Sequence, residues 1–566
     1  MAADSVSFSI APIAEAPIAG ITFAEPAFCL NASKCEIVVN IGLFFDGTRN
    51  NKDQDSPKLG HSNIARLHDA YIDDPDGHYF RVYMPGVGTQ FPQIGEYGEH
   101  TSGSAFAIGA EARVLYGLLR FFNAIHRSAF GVGLFNVAQI KALCGYSAPT
   151  TAEQLELEKL GLGLSLAAGT NGHNLREHFL KEQANQLEKK LRTRETPKIK
   201  ECFIDVFGFS RGAAEARVFC QWFVQLLSAG EFAGIPVRFR FLGLIDTVAS
   251  AGYWDGISGT ITNTTDGHTG WAAPENLRIH PMVENCLHMV AMHELRKNFP
   301  LDEVRLNGVL PSNCQEFAYP GAHSDIGGGY LPEELGVSVG KSLQESDALK
   351  LAQIPLNHML ACAMAAGAPM DAERARQLNG YDAFAIAPPV KQAFQDFLAL
   401  ATLRPRKLCD WMQPYLNWRW QVRNSYLRLN HIQRAKNDRQ LLLDGNSQLM
   451  HHAEIMRYRG SVEKAKEFLT RTFDRKSFDL KNPEYRQEEL SSLDPEALAV
   501  LQLAQDAPPI SPGLAAFFDD FVHDSLAGFR RDLVEQTGYW RYRRGFQGSA
   551  VVLIATDQPS EKNPST

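Results

Sequence analysis

Three residues of this chain could together cleave an ester, and they occur in the order serine, aspartate, histidine. Ser210 lies in VFGFSRGAAEAR (206–217), Asp246 in FLGLIDTVAS (241–250) and His323 in PGAHSDIGGGY (320–330). Serine is a poor nucleophile until a base takes its proton, and the base needs an acid to orient it. Ser210 sits between Gly208 and Gly212, where the apolar run Phe203–Phe207 meets an alanine-rich helical pattern. G-x-S-x-G alone is a weak signal. At a strand-to-helix junction it reads as a nucleophile elbow, which lifts the hydroxyl above the sheet; the plainer reading is a turn serine.

The acid and base are then expected C-terminal to Ser210. Asp246 ends an apolar strand, where a catalytic carboxylate or a turn cap would sit, and Asp255 in GYWDG is the runner-up. Candidate downstream histidines include His268, His280, His288, His293 and His323. His323 follows a strand within a glycine-rich loop, which favours it as the base. His288 and His293 fall in a helical pattern and read as packing or surface residues. An oxyanion hole needs two N–H donors. Arg211 N–H is one, and the loop Phe45-Asp46-Gly47-Thr48 offers the second through Asp46 or Gly47; Asp46 is equally suited to cap that loop.

No cofactor is called for. Gly327–Gly329 is followed by no Lys-Ser/Thr, and there is no H-E-x-x-H or paired Cys/His spacing. His323 and Asp325 are the nearest approach to a metal pair, with a metal-dependent hydrolase as the lesser reading.

These residues need a scaffold. Continuous β-type runs at Glu36–Phe45, HYFRVYMP, KIKECFIDVFGF, VRFRFLGLIDTV and NCQEFAYPG alternate with helical patterns over 104–145, 151–193 and 213–227. Such alternation predicts an α/β fold with a mostly parallel sheet. We divide the chain into a loosely structured arm (1–34), a catalytic domain (35–335) with a helical insertion at about 100–195, and a mainly helical region (336–566) ending in a strand near 548–555.

With 566 residues, 45% of them hydrophobic, the chain can bury a large core. A net charge of −8 argues against wholesale nucleic-acid binding. Nine scattered cysteines without a C-x-x-C pair suit a reduced, cytoplasmically made protein. Residues 1–34 lack a basic stretch followed by an apolar one, so no Sec signal peptide is expected. Residues 404–439 carry nine Lys/Arg interleaved with Trp411, Tyr415, Trp418, Trp420 and Tyr426. They read either as a helical layer with its rings in the core or as a peripheral membrane-contacting surface.

Five ordered blocks, IGLFFDGTRNN (41–51), YMPGVGT (83–89) and the three segments around Ser210, Asp246 and His323, resemble one known family. HDSLAGF (523–529) and YWRYRR (539–544) extend the likeness. The family is the α/β-hydrolase domain of bacterial type VI secretion phospholipase effectors and related uncharacterised proteins. The resemblance implies a triad of Ser210, Asp246 and His323 and phospholipase A-type esterase chemistry releasing a fatty acid and a lysophospholipid. It also implies delivery into rival bacteria, with secretion-spike and immunity proteins as partners. The alternatives are an esterase for soluble esters and a non-catalytic secretion cargo or adaptor.

Overall fold

Runs that are apolar at nearly every position must be covered on both faces, and a parallel sheet between helical layers does this. The computed structural model describes residues 9–10, 36–98, 103–146, 149–162, 172–193, 197–249, 270–296, 299–400, 408–457, 503–528 and 545–548. Its strands are β1 (Ser9–Ile10), β2 (Glu36–Phe45), β3 (Tyr79–Met84), β4 (Lys198–Phe209), β5 (Glu231–Phe232), β6 (Ile235–Ile245), β7 (Cys286–Ala291), β8 (Leu301–Leu306), β9 (Cys314–Tyr319) and β10 (Gly545–Gly548). The main sheet runs β1-β9-β7-β6-β4-β2-β3, parallel throughout, with β5 antiparallel on β6. β8 pairs separately with β10, also in parallel. The fold is α/β, with a mainly helical C-terminal region.

Register is what assembles the site. Phe45 pairs with both Met84 and Gly208, Phe209 with Ile245, Ile245 with Met289, and Ala291 with Tyr319. Six strands therefore end along one edge, and their following loops converge there. In open parallel sheets this carboxyl edge is where ligands bind.

Two cores flank the sheet. On one face Ile41, Leu43 and Phe45 pack with helices Gly103–Phe130 and Arg211–Val224, through residues such as Leu118, Phe121, Phe219 and Phe223. On the other, Phe44, Phe207 and Phe241 meet helices Asn63–Ala70, Gln353–Ala365, Pro388–Leu400, Leu408–Val422 and Pro512–Phe521. Alternation along β2 sends Leu43 and Phe45 to one core and Phe44 to the other, as a two-residue period requires.

The structure corrects one sequence expectation and decides between the two readings of another. The segment around His288 is strand β7, buried at all six positions, rather than helix. A short fully apolar run carries no period that separates strand from helix; its place between β6 and β9 decides. The second concerns the aromatic stretch. Trp411, Tyr415, Trp418, Trp420 and Tyr426 are all buried, so these rings face the core and not a lipid surface. Arg404, Arg406, Lys407, Asp255, His268, most of the arm 1–34, and residues 539–544 and 549–555 lie outside the described residues. No helix among the described residues is long and apolar enough to cross a membrane.

Candidate active site

Ser210 follows β4 directly and precedes the helix Arg211–Val224. Its backbone sits at φ 57 and ψ −122, outside the regions a residue with a side chain normally adopts. Neighbours hold it there. Ser210 N–H donates to Ile245 O at 2.9 Å, and Ser210 O accepts Ala213 N–H at 3.1 Å and Val248 N–H at 3.2 Å. Its hydroxyl makes no capping bond to the helix it precedes, which removes the ordinary reason for a serine at a helix start. The flanking glycines are needed sterically. A Cβ on Gly208 would lie 2.4 Å from Gly212 O, and one on Gly212 2.2 Å from Phe45 O. β2 and the helix start cross here with no room for a methyl group.

Asp246 follows β6 with a left-handed φ of 46 and is fully buried. Its N–H donates to Met289 O at 2.7 Å, and its Oδ1 accepts Ala291 N–H at 2.8 Å. Oδ2 is left for His323, whose Nδ1 lies 2.5 Å away. A carboxylate only accepts, so the proton sits on Nδ1 and Nε2 is the basic nitrogen. The sequence-derived acid and base are thus in contact. The residue after Asp246 is held too: His288 Nε2 accepts Thr247 N–H at 3.2 Å, and His288 Nδ1 lies 2.8 Å from Glu316. His288 is therefore a buried support for the Asp246 turn, which the helical reading of its segment concealed.

Aromatic rings enclose His323, with Phe209 at 4.6 Å between ring centroids and Phe299 edge-on at 4.9 Å. Burial pushes the His323 pKa below its ordinary value, with Asp246 opposing the shift and Arg296 adding to it. The imidazole is thereby neutral, and able to accept a proton, at neutral pH. Glu294 Oε2 accepts His323 N–H at 3.2 Å and bonds the Arg296 guanidinium at 2.9 Å. Burial alone would raise the Glu294 carboxyl, but Arg296 more than offsets this and holds it at about 2. Glu294 and Arg296 escaped the sequence reading because HELR has no motif character.

The loop after β2 lies beside the nucleophile, since Gly47 abuts the Phe209 ring and Gly212 abuts Asp46 O. Asp46 N–H donates to Met84 O at 3.0 Å, and Gly47 N–H donates to the Asp46 carboxylate at 2.7 Å. Tyr83 O–H donates to the same carboxylate at 2.5 Å. Burial raises the Asp46 pKa to about 6 despite these bonds. One turn beyond Ser210, Glu215 is fully buried, and neither oxygen is hydrogen-bonded among the described residues. Burial raises it to about 8, with Arg113 and Arg211 opposing.

Two other candidate histidines serve locally. His293 Nδ1 accepts Gly321 N–H at 3.0 Å and its ring stacks on Tyr415, while His280 Nδ1 accepts Met282 N–H at 3.1 Å. No group of three or more His, Cys, Asp or Glu among the described residues is arranged to hold a metal ion.

A parallel sheet with a strained serine after one strand, and an aspartate and histidine in contact on its carboxyl edge, defines an α/β-hydrolase-like protein. Residues 223–362 match the family described as type VI secretion system phospholipase effector Tle1-like, catalytic domain. This segment, which holds Asp246 and His323 and begins thirteen residues after Ser210, is similar to that family's catalytic domain, in agreement with the resemblance of the sequence blocks. A crystal structure of an uncharacterized protein from Pseudomonas aeruginosa is similar over 91% of this chain and 80% of its own, at 26% identity and a TM-score of 0.66. The Tle1 effector bound to the VgrG spike of the type VI secretion system aligns over 65% of this chain and 79% of its own, at 19% identity. Its TM-score of 0.34 is too low to argue from. No curated protein sequence matches the chain.

Proposed function

We propose that the protein is a serine-dependent phospholipase of A type that acts as an antibacterial type VI secretion effector. The observation that carries the reading is Ser210, held in a strained turn without a capping bond from its hydroxyl, on the same sheet edge as the Asp246–His323 pair. Strain kept at a serine that does not cap the helix it precedes is the signature of a positioned nucleophile. The family match to residues 223–362 supports phospholipid as substrate.

In this reading Ser210 Oγ attacks the ester carbonyl while His323 Nε2 takes its proton. Asp246 holds the imidazole in that tautomer and balances the imidazolium. Arg211 N–H receives the oxyanion as one donor. Asp46 N–H and Gly47 N–H are already bonded, to Met84 O and the Asp46 carboxylate. Collapse of the tetrahedral intermediate expels the lysophospholipid alkoxide, which takes the proton from His323. Water then attacks the acyl-serine, again deprotonated by His323, and frees the fatty acid.

The partners follow from the same reading: a phospholipid surface met peripherally, a secretion spike and an immunity protein. The test is release of fatty acid and lysophospholipid from vesicles, micelles and a short soluble ester. Cleavage of the vesicles or micelles supports the proposal. Cleavage of the soluble ester alone replaces it with a general esterase, and inertness toward all three leaves a non-catalytic cargo.

A further inference from the structure

Among the contacts between the helical region and the His323 loop is one buried pair of side chains. Helix His323–Gly327 is opened by Asp325, whose Oδ2 accepts Ala322 N–H at 2.9 Å. The same oxygen accepts the backbone N–H of His523 at 3.1 Å, and His523 Nδ1 lies 2.6 Å from Oδ1. Both side chains are 1% exposed. Tyr330 stacks on the His523 ring, with centroids 3.8 Å apart and planes 11° from parallel. The adjacent Asp524 is held in turn by buried Arg419 at 2.8 Å. His523 is thus clamped on the ring face, at Nδ1 and along its backbone.

We propose that His523 is a positioning residue for His323, acting through Asp325. The inference rests on the reading of His323 as the base. Asp325 is a buried acceptor serving two groups at once: Ala322, the residue before His323, and His523, roughly two hundred residues away. A buried carboxylate keeps its place only while donors surround it. Without the Nδ1 donor, Asp325 is short of a partner and turns to satisfy its charge elsewhere, and the helix start carrying His323 moves with it. A displacement of about 1 Å at a catalytic group costs on the order of a hundredfold in rate. The inference also assigns a task to HDSLAGF, which the reaction itself leaves unused.

His523 Nε2 has no hydrogen-bond partner among the described residues, whereas Nδ1 is the bonded nitrogen. This asymmetry gives a test that simple loss of packing does not mimic. An asparagine amide nitrogen occupies the place of Nδ1, and a glutamine amide nitrogen that of Nε2. The full-length chain carrying H523N or H523Q is compared with wild type for the rate at which a fluorophosphonate labels Ser210. Fatty-acid release from phosphatidylethanolamine–phosphatidylglycerol vesicles and the thermal midpoint are read alongside.

The expected result is H523N within about threefold of wild type and H523Q slower by about ten- to a hundredfold, in kcat rather than KM. Equal rates for the two folded variants, or an unimpaired H523Q, would overturn the inference. If H523Q does not fold, Asp325→Asn replaces it, since an uncharged amide cannot hold both donors. D325N must then be slowed as H523Q was expected to be while H523N is not, and a D325N as fast as H523N overturns the inference. Because the probe reads Ser210 directly, a wild type that labels but frees no fatty acid contradicts the phospholipase reading and leaves the His523 comparison standing.

Discussion

Asp246 and His323 follow strands that are not neighbours, yet Asp246 Oδ2 lies 2.5 Å from His323 Nδ1. β7 stands between β6 and β9, and its last residue, Ala291, donates its N–H to the other Asp246 oxygen at 2.8 Å. The intervening strand thus sets how far the carboxylate projects. Asp246→Asn keeps an oxygen for Ala291 but turns an amide donor toward His323, which forces the wrong tautomer. The expected loss in kcat is about 10⁴-fold, with the fold retained by circular dichroism.

The pH dependence follows from His323. Its pKa is lowered, chiefly by burial, and the reaction needs the neutral ring. Activity is therefore retained as pH falls through the ordinary histidine value of about 6.5 and is lost only below it. A pH profile of kcat/KM on a soluble ester checks this, and an acid limb centred above 6.5 would contradict it.

Gly212→Ala tests the elbow. The new methyl group would meet the backbone carbonyl of Phe45 at 2.2 Å, and backbone cannot swing aside as a side chain can. The variant is expected to lose about 3 kcal/mol or more of stability by denaturant titration, or not to fold. A variant of wild-type stability would mean that β2 and the helix start do not cross this closely.

Glu215 makes a prediction about stability alone. Its carboxyl, raised by burial to about 8 from an ordinary 4.5, binds a proton in the folded state that the unfolded chain releases. Stability linked to this group is present below about 4.5 and is lost as pH rises toward 8. Glu215→Gln should flatten that decline, with a gain over wild type of order a few kcal/mol at pH 8 and little at pH 5. Denaturant midpoints at both pH values decide it.

How far the sequence could be read differs from residue to residue. The central strands were legible because β2, β4 and β6 hold long apolar runs, and β2, β6 and β9 stop at Asp46, Asp246 and Pro320. The glycines around Ser210 were legible because a strand-turn-helix crossing leaves few alternatives. Strand β7 was not, since CLHMVA has no period of its own and is a strand only because neighbours flank it. The supports behind the site were hidden for a related reason. Glu294, Glu316 and Asp325 become meaningful only through partners that the fold brings to them, and His523 lies 198 positions from Asp325. The rings of 411–426 look the same in sequence whether they face lipid or core, and packing alone puts them inside.

The measurement that tests the account most directly is fatty-acid and lysophospholipid release from bacterial phospholipid vesicles by wild type and Ser210→Ala. Ser210 makes no capping bond, so its removal is expected to leave folding and thermal midpoint nearly unchanged. Wild type is expected to release both products, with a fall of about 10³-fold or more in the variant. A folded Ser210→Ala protein that still frees fatty acid at the wild-type rate would contradict it.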